Sequence, residues 1–96
     1  DTRIITAAAD VKAAAAAFAQ HDTAAGLQAV KAAHQSLTTI WDEGLRVDDV
    51  TILFDIRDTI NRLQRLLDAR SLIPAVDVCD RAHGSLTRIA DRWVRP

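Results

Sequence analysis

The chain contains an internal repeat, and this repeat constrains the possible folds more than any other feature. Residues 33–42 read AHQSLTTIWD and residues 82–91 read AHGSLTRIAD, so seven of ten positions are identical at an offset of 49 residues. A repeat at a fixed offset is typical of a duplicated supersecondary unit. The alternative is coincidence between two helices of similar, alanine-rich composition. The same offset also pairs Asp22 with Ser71, Val11 with Ile60 and Phe18 with Leu67.

Apolar residues recur at spacings of three and four along most of the chain, which is the period of an amphipathic helix. Residues suited to cap the second, third and fourth helices precede them: Asp22, Asp48 or Asp49, and Ser71. The stripes predicted to face the core are Ile4, Ala8, Val11, Ala15 and Phe18; Leu27, Val30, His34, Leu37 and Trp41; Leu53, Ile56, Ile60, Leu63 and Leu67; and Cys79, His83, Leu86, Ala90 and Trp93.

Repeat and stripes together predict an all-α protein, an antiparallel up-and-down four-helix bundle in one domain spanning 1–96. A chain of 96 residues is long enough for one core only. A single helical hairpin cannot bury its apolar stripe, so two similar hairpins, about 1–45 and 50–94, are expected to cover each other. The second and fourth helices would then lie diagonally across the bundle.

Charge and hydropathy exclude several classes of function. The net charge is -1, with 12 basic and 13 acidic residues, so no overall positive field attracts nucleic acid. The longest apolar run, residues 13–19, is far shorter than the ~20 residues of a membrane-spanning helix. The chain begins with Asp rather than Met, so we expect a processed or excised product, for which an extracytoplasmic location is permitted.

His34 and His83 occupy equivalent positions of the repeat and fall on predicted core stripes. Both imidazole rings are therefore expected to point towards the bundle axis at one height. Neutral imidazole is a common ligand of transition metals and haem iron, so the pair could form half of a metal or haem site. Two ligands are too few for a structural zinc site, which favours a packing role with hydrogen bonds to Ser, Thr or backbone.

Trp41 and Trp93 end the second and fourth helices and should lie at the same end of the bundle. They are predicted to seal the core there; the alternative is an aromatic floor for a small apolar ligand. Cys79 has no second thiol with which to form a disulfide, and its place on the fourth stripe predicts a buried apolar residue rather than a reactive thiol.

Phe54 lies on the side of the third helix opposite its apolar stripe and is predicted to be exposed, as part of a dimer or partner contact.

No serine or cysteine nucleophile has a credible base and orienting partner, and no glycine-rich phosphate loop is present. The sequence therefore predicts a non-enzymatic interaction or sensory module that presents a helical face to a protein partner or to a second copy. The alternative is a metal- or haem-binding bundle organised around His34 and His83.

In length, up-and-down topology and arrangement as two hairpins, the chain resembles the cytochrome b562-like extracytoplasmic four-helix bundles. The haem ligands of that family are a Met near the start of the first helix and a His near the end of the last. This sequence has no Met, and its last helix ends with Ala90, Asp91, Arg92 and Trp93. The resemblance thus implies the architecture and not the haem site.

Overall fold

The computed structural model confirms the all-α four-helix architecture and describes residues 2–44, 49–68 and 75–94. Two predicted caps, Asp48 and Ser71, lie outside the described residues. The last helix continues directly into a short π-helical turn. The elements are α1 (Arg3–Ala19), α2 (Thr23–Asp42), α3 (Val50–Asp68), α4 (Ala75–Ile89) and the π-helical turn (Ala90–Val94).

Each helix packs on two neighbours. α1 contacts α2 and α4, and α3 also contacts α2 and α4, so α2 and α4 lie across one diagonal and α1 and α3 across the other. The elongated shape, 39 × 22 × 17 Å, fits antiparallel helices of about 30 Å. α1 and α3 begin, and α2 and α4 finish, at the same end of the bundle, which we call the N-terminal end.

Two helix ends show how the sequence sets the boundaries. His21 has a positive φ of 61°, and it reverses the chain after α1 because the amide of Asp22 donates to the carbonyl of Ala17 at 2.9 Å. The carboxylate of Asp22 then accepts the amide of Ala25 at 3.2 Å, which confirms the predicted cap of α2. At the start of α3 the carboxylate of Asp49 likewise accepts a hydrogen bond from the amide of Thr51 at 2.9 Å.

The core follows a strict seven-residue pattern in all four helices, rotated from the predicted stripes. The predictions for His34 and Trp41 were wrong, because their preceding neighbours Ala33 and Ile40 are the buried residues. About half of the predicted positions are replaced by the residue before them. Because successive residues are about 100° apart around a helix, this replacement turns the buried face by about 50°. The buried residues are Ile4, Ala7, Val11, Ala14 and Phe18; Gly26, Val30, Ala33, Leu37 and Ile40; Ile52, Ile56, Thr59, Leu63 and Leu66; and Ala75, Cys79, Ala82, Leu86 and Ile89.

Small residues explain this rotation. Gly26 of α2 faces the ring of Phe18, and a Cβ atom at Gly26 would lie only 2.5 Å from Phe18 Cε1. Ala7 and Ala14 of α1 and Ala33 of α2 are likewise fully buried. Small side chains let helices approach closely, whereas an imidazole or indole in the same layer would separate them or lose its hydrogen bonds.

The burial pattern of the first hairpin repeats in the second, but the two pairs of equivalent helices have different offsets. From residue 26 to residue 40, α2 has the same pattern of buried, half-buried and exposed positions as α4 at an offset of 49, except at 35/84 and 38/87. From residue 7 to residue 19, α1 has the same pattern as α3 at an offset of 45. The offset of 49 therefore holds for α2 and α4 only. The predicted pairing of Val11 with Ile60 and of Phe18 with Leu67 was wrong, because Ile60 and Leu67 lie beside the core rather than in it.

Candidate functional site

Two ion pairs at the N-terminal end show which side of each helix faces which neighbour. Arg3 of α1 donates to both carboxylate oxygens of Glu43, at 3.0 and 2.6 Å, so the side of α2 that carries Glu43 faces α1. These hydrogen bonds hold the pKa of Glu43 below its ordinary value. Arg92 of the π-helical turn that follows α4 lies 3.7 Å from Asp49 at the start of α3, so the side of this turn that carries Arg92 faces α3.

His34 and His83 consequently lie on opposite seams of the bundle. His34 precedes Glu43 by nine residues, half a turn around α2, and therefore lies at the seam between α2 and α3. His83 is the residue of α4 equivalent to His34 of α2 in the burial pattern, and therefore lies at the seam between α4 and α1. Both side chains are half-buried, so the expectation that they point to the axis was wrong.

This placement bears on the metal and haem hypothesis. Two rings on opposite seams do not converge on one ion, which must lie about 2.0–2.2 Å from each ligand. Within the described residues, no group of three or more His, Cys, Asp or Glu side chains is placed to hold a metal. The hydroxyl of Thr87 donates to the backbone carbonyl of His83 at 2.8 Å, a bond that leaves the imidazole ring uninvolved.

The two tryptophans share the N-terminal end but have different surroundings. Trp93 lies on the π-helical turn, half-buried and packed against the core, as predicted for a residue that seals it. Trp41 is 39% exposed and lies seven residues after His34, on the side of α2 that faces α3. A floor built from both rings would have to bridge these two positions.

The exposed large apolar side chains of the described residues all lie near the N-terminal end. Phe54 is 63% exposed, which confirms its predicted position on the outer face of α3. Val50 is 58% exposed and lies one helical turn before Phe54 on the same face. Ile5, on the side of α1 turned away from α2, is 45% exposed.

Three of the exposed apolar residues, Trp41, Val50 and Phe54, form one surface. The equivalence of α1 and α3 at an offset of 45 places Leu53 and Ile60 where α1 has Ala8 and Ala15, on the side that faces the other hairpin. Leu53 therefore lies on the same α2–α3 seam as Trp41. Val50 and Phe54 continue this apolar surface around α3. We call Trp41, Val50 and Phe54 the docking patch.

Sequence reasoning found Phe54 and missed the rest of the patch. The apolar stripe of α2 predicts Trp41 in the core, and no stripe includes Val50. The signal for Val50 is its spacing of four from Phe54, which places the two side chains next to each other on a helix. No comparable signal shows that Trp41 adjoins them, because that depends on which seam Trp41 faces.

Charged side chains of both signs surround the docking patch. Asp58 accepts a hydrogen bond from Arg62 at 2.9 Å, one turn further along α3. Arg57 is exposed and has no carboxylate partner among the described residues, and Asp49 is held by Arg92 only at 3.7 Å. The rim is therefore mixed in charge.

Cys79 is fully buried in α4, as predicted. Burial, with a smaller contribution from Asp80, raises the pKa of the Cys79 thiol to about 11. At neutral pH the group is a protonated thiol packed in the core, which is the form with low nucleophilicity.

None of the described helices is both long and apolar enough to cross a lipid bilayer. Comparisons with protein-family models, curated proteins and solved structures find no match for this chain.

Proposed function

We propose that this chain is a non-enzymatic helical module that binds a protein partner through the docking patch. The observation that carries the proposal is the exposure of three large apolar side chains at one end of the bundle: Phe54 (63%), Val50 (58%) and Trp41 (39%). Aromatic residues are enriched among those that dominate binding energies, and clustered exposed apolar residues on a small monomer commonly mark interaction sites. The mixed charges around the patch form a polar rim of the kind found at protein interfaces.

The metal- or haem-binding alternative has less support, because its two histidines lie on opposite seams. An interaction role needs no shared centre for His34 and His83. It requires only a rigid helical face, and α3 supplies one because its inner side is anchored by fully buried Ile56, Thr59 and Leu63.

Position-specific photo-crosslinking in the cells that make the protein tests the proposal. A photo-reactive phenylalanine analogue at position 54 should yield an adduct of defined mass, and the same analogue at Ile5 should not. Ile5 is the matched control because it is similarly exposed at the same end but lies outside the patch. Adding Trp41→Ser to the position-54 variant should reduce the yield. Equal adduct formation from positions 5 and 54, or none from either, would overturn the proposal.

A further inference from the structure

We infer that the partner of the docking patch is the same patch on a second copy of this chain, with the two α3 helices antiparallel and the two-fold axis beside Phe54. This inference rests on the proposed function and names the partner. It follows from the size of the patch and the order of charges along α3.

The area of the patch suits weak self-association. Trp41, Val50 and Phe54 together expose roughly 300 Å² of apolar surface in each copy, from typical side-chain areas and the exposed fractions given above. With the polar residues around them, two copies would bury less than about 1,200 Å², the range of transient complexes. The dimer should therefore form at high protein concentration and dissociate on dilution.

One side of the outer face of α3 carries Val50 and Arg57, which are four residues before and three residues after Phe54. In an antiparallel pair with its axis at Phe54, Val50 of one copy lies beside Arg57 of the other. The aliphatic part of Arg57 can cover Val50, and its guanidinium then reaches Asp49, one residue further. This contact supplies the carboxylate that Arg57 lacks among the described residues.

The other side of the outer face carries Thr51 and Asp58, three residues before and four residues after Phe54. The same axis brings the hydroxyl of Thr51 to the carboxylate of Asp58 in the second copy, where it can donate a hydrogen bond. An axis shifted by half a heptad towards Asn61 would instead place Arg57 opposite Arg57 and Asp58 opposite Asp58. Like charges facing each other are unfavourable, so the register centred on Phe54 is preferred.

Disulfide trapping tests this geometry directly. Helix axes about 8–10 Å apart bring Cα atoms at the two-fold axis within the ~4.4–6.8 Å that a disulfide spans. Phe54→Cys should therefore form a covalent dimer with copper–phenanthroline as the oxidant, at a protein concentration high enough to offset the weaker association of a variant without the Phe54 ring. Asn61→Cys is the control, because seven residues on each side of the axis separate its two copies by about 21 Å. Native Cys79 does not compete, since it is fully buried.

Sedimentation of the full chain over a range of concentrations tests the energetics. Phe54→Ser and Arg57→Asp should each weaken self-association by more than about tenfold. Ile5→Ser and Arg65→Asp, exposed controls outside the contact, should leave it unchanged, with helicity measured for every variant.

A monomer at all concentrations, or equal trapping of the Phe54→Cys and Asn61→Cys variants, overturns the second-copy inference. A photo-adduct from position 54 with a different protein would then leave the proposed function standing. If position 54 gives neither a dimer nor an adduct, both proposals fail.

Discussion

The two hairpins share one pattern of burial but differ in the side chains that fill it. At the equivalent core positions, α1 has Ala7 and Val11 where α3 has Ile52 and Ile56. At the positions facing the other hairpin, α1 has Ala8 where α3 has Leu53. At these positions α1 therefore packs through smaller side chains than α3. The pattern decides which residues are buried, whereas residue size decides where apolar surface remains exposed.

The largest expected effect is a difference in stability loss between core truncations in α3 and in α1. Ile56→Ala removes three buried methyl or methylene groups and should lower the free energy of unfolding by about 2–5 kcal/mol. Val11→Ala removes two at the equivalent position and should cost roughly 1.6 kcal/mol plus a smaller cavity contribution. Both residues are fully buried. Urea unfolding monitored by circular dichroism measures both, and equal losses would contradict the size difference between the two helices.

The next prediction tests the rotated core of α2. Ala33→Leu forces a larger side chain into a fully buried position and should cost about 1–3 kcal/mol. His34→Leu places an apolar group at the half-buried seam and should be neutral or stabilising. Ala82→Leu and His83→Leu form the corresponding pair in α4. If the histidine variants are the destabilised ones, His34 and His83 are the buried residues, as the sequence stripes predicted, and the rotated core is wrong.

The sequence predicted the topology well and the core register poorly, for identifiable reasons. The spacing of apolar residues indicated four helices, and Asp22 marked the start of α2 because its capping chemistry is local. The choice between Ala33 and His34 is not local, since it depends on how closely α2 approaches its neighbours. Phe54 was predictable as the apolar residue on an otherwise polar face. The neighbour of Trp41 depends on which seam it faces, which only the packed bundle determines.

A smaller effect should distinguish two helical glycines. A Cβ atom at Gly84 would meet nothing within 4 Å, so Gly84→Ala should stabilise the protein by about 0.5–1 kcal/mol through helix propensity. At Gly26 the ring of Phe18 occupies that space, so Gly26→Ala should lose this gain and destabilise by about 1 kcal/mol. Thermal unfolding measures both. A gain at Gly26 as large as that at Gly84 would show that the first hairpin is not tightly packed there.

The smallest effect concerns the ion pair that joins α1 to α2. Hydrogen bonds from Arg3 lower the pKa of Glu43 in the folded state below its ordinary value of 4.5. The ion pair therefore stabilises the fold at pH values above 4.5. That contribution is lost as the pH falls through the lower folded-state pKa. Glu43→Gln should therefore flatten the acid limb of a plot of stability against pH slightly, relative to wild type. Asp42→Asn, at the neighbouring exposed position, is the control and should leave the effect of Glu43→Gln unchanged when the two are combined.

The docking patch that we propose lies on the second hairpin and on the adjoining end of α2. The most direct test is to record amide chemical shifts of the uniformly ¹⁵N-labelled chain from micromolar to millimolar concentration. Self-association through the docking patch predicts progressive shifts confined to Trp41 and to residues 49–58, with the alanine-rich residues 9–16 of α1 unchanged. Shifts centred on α1, or spectra independent of concentration, would contradict it.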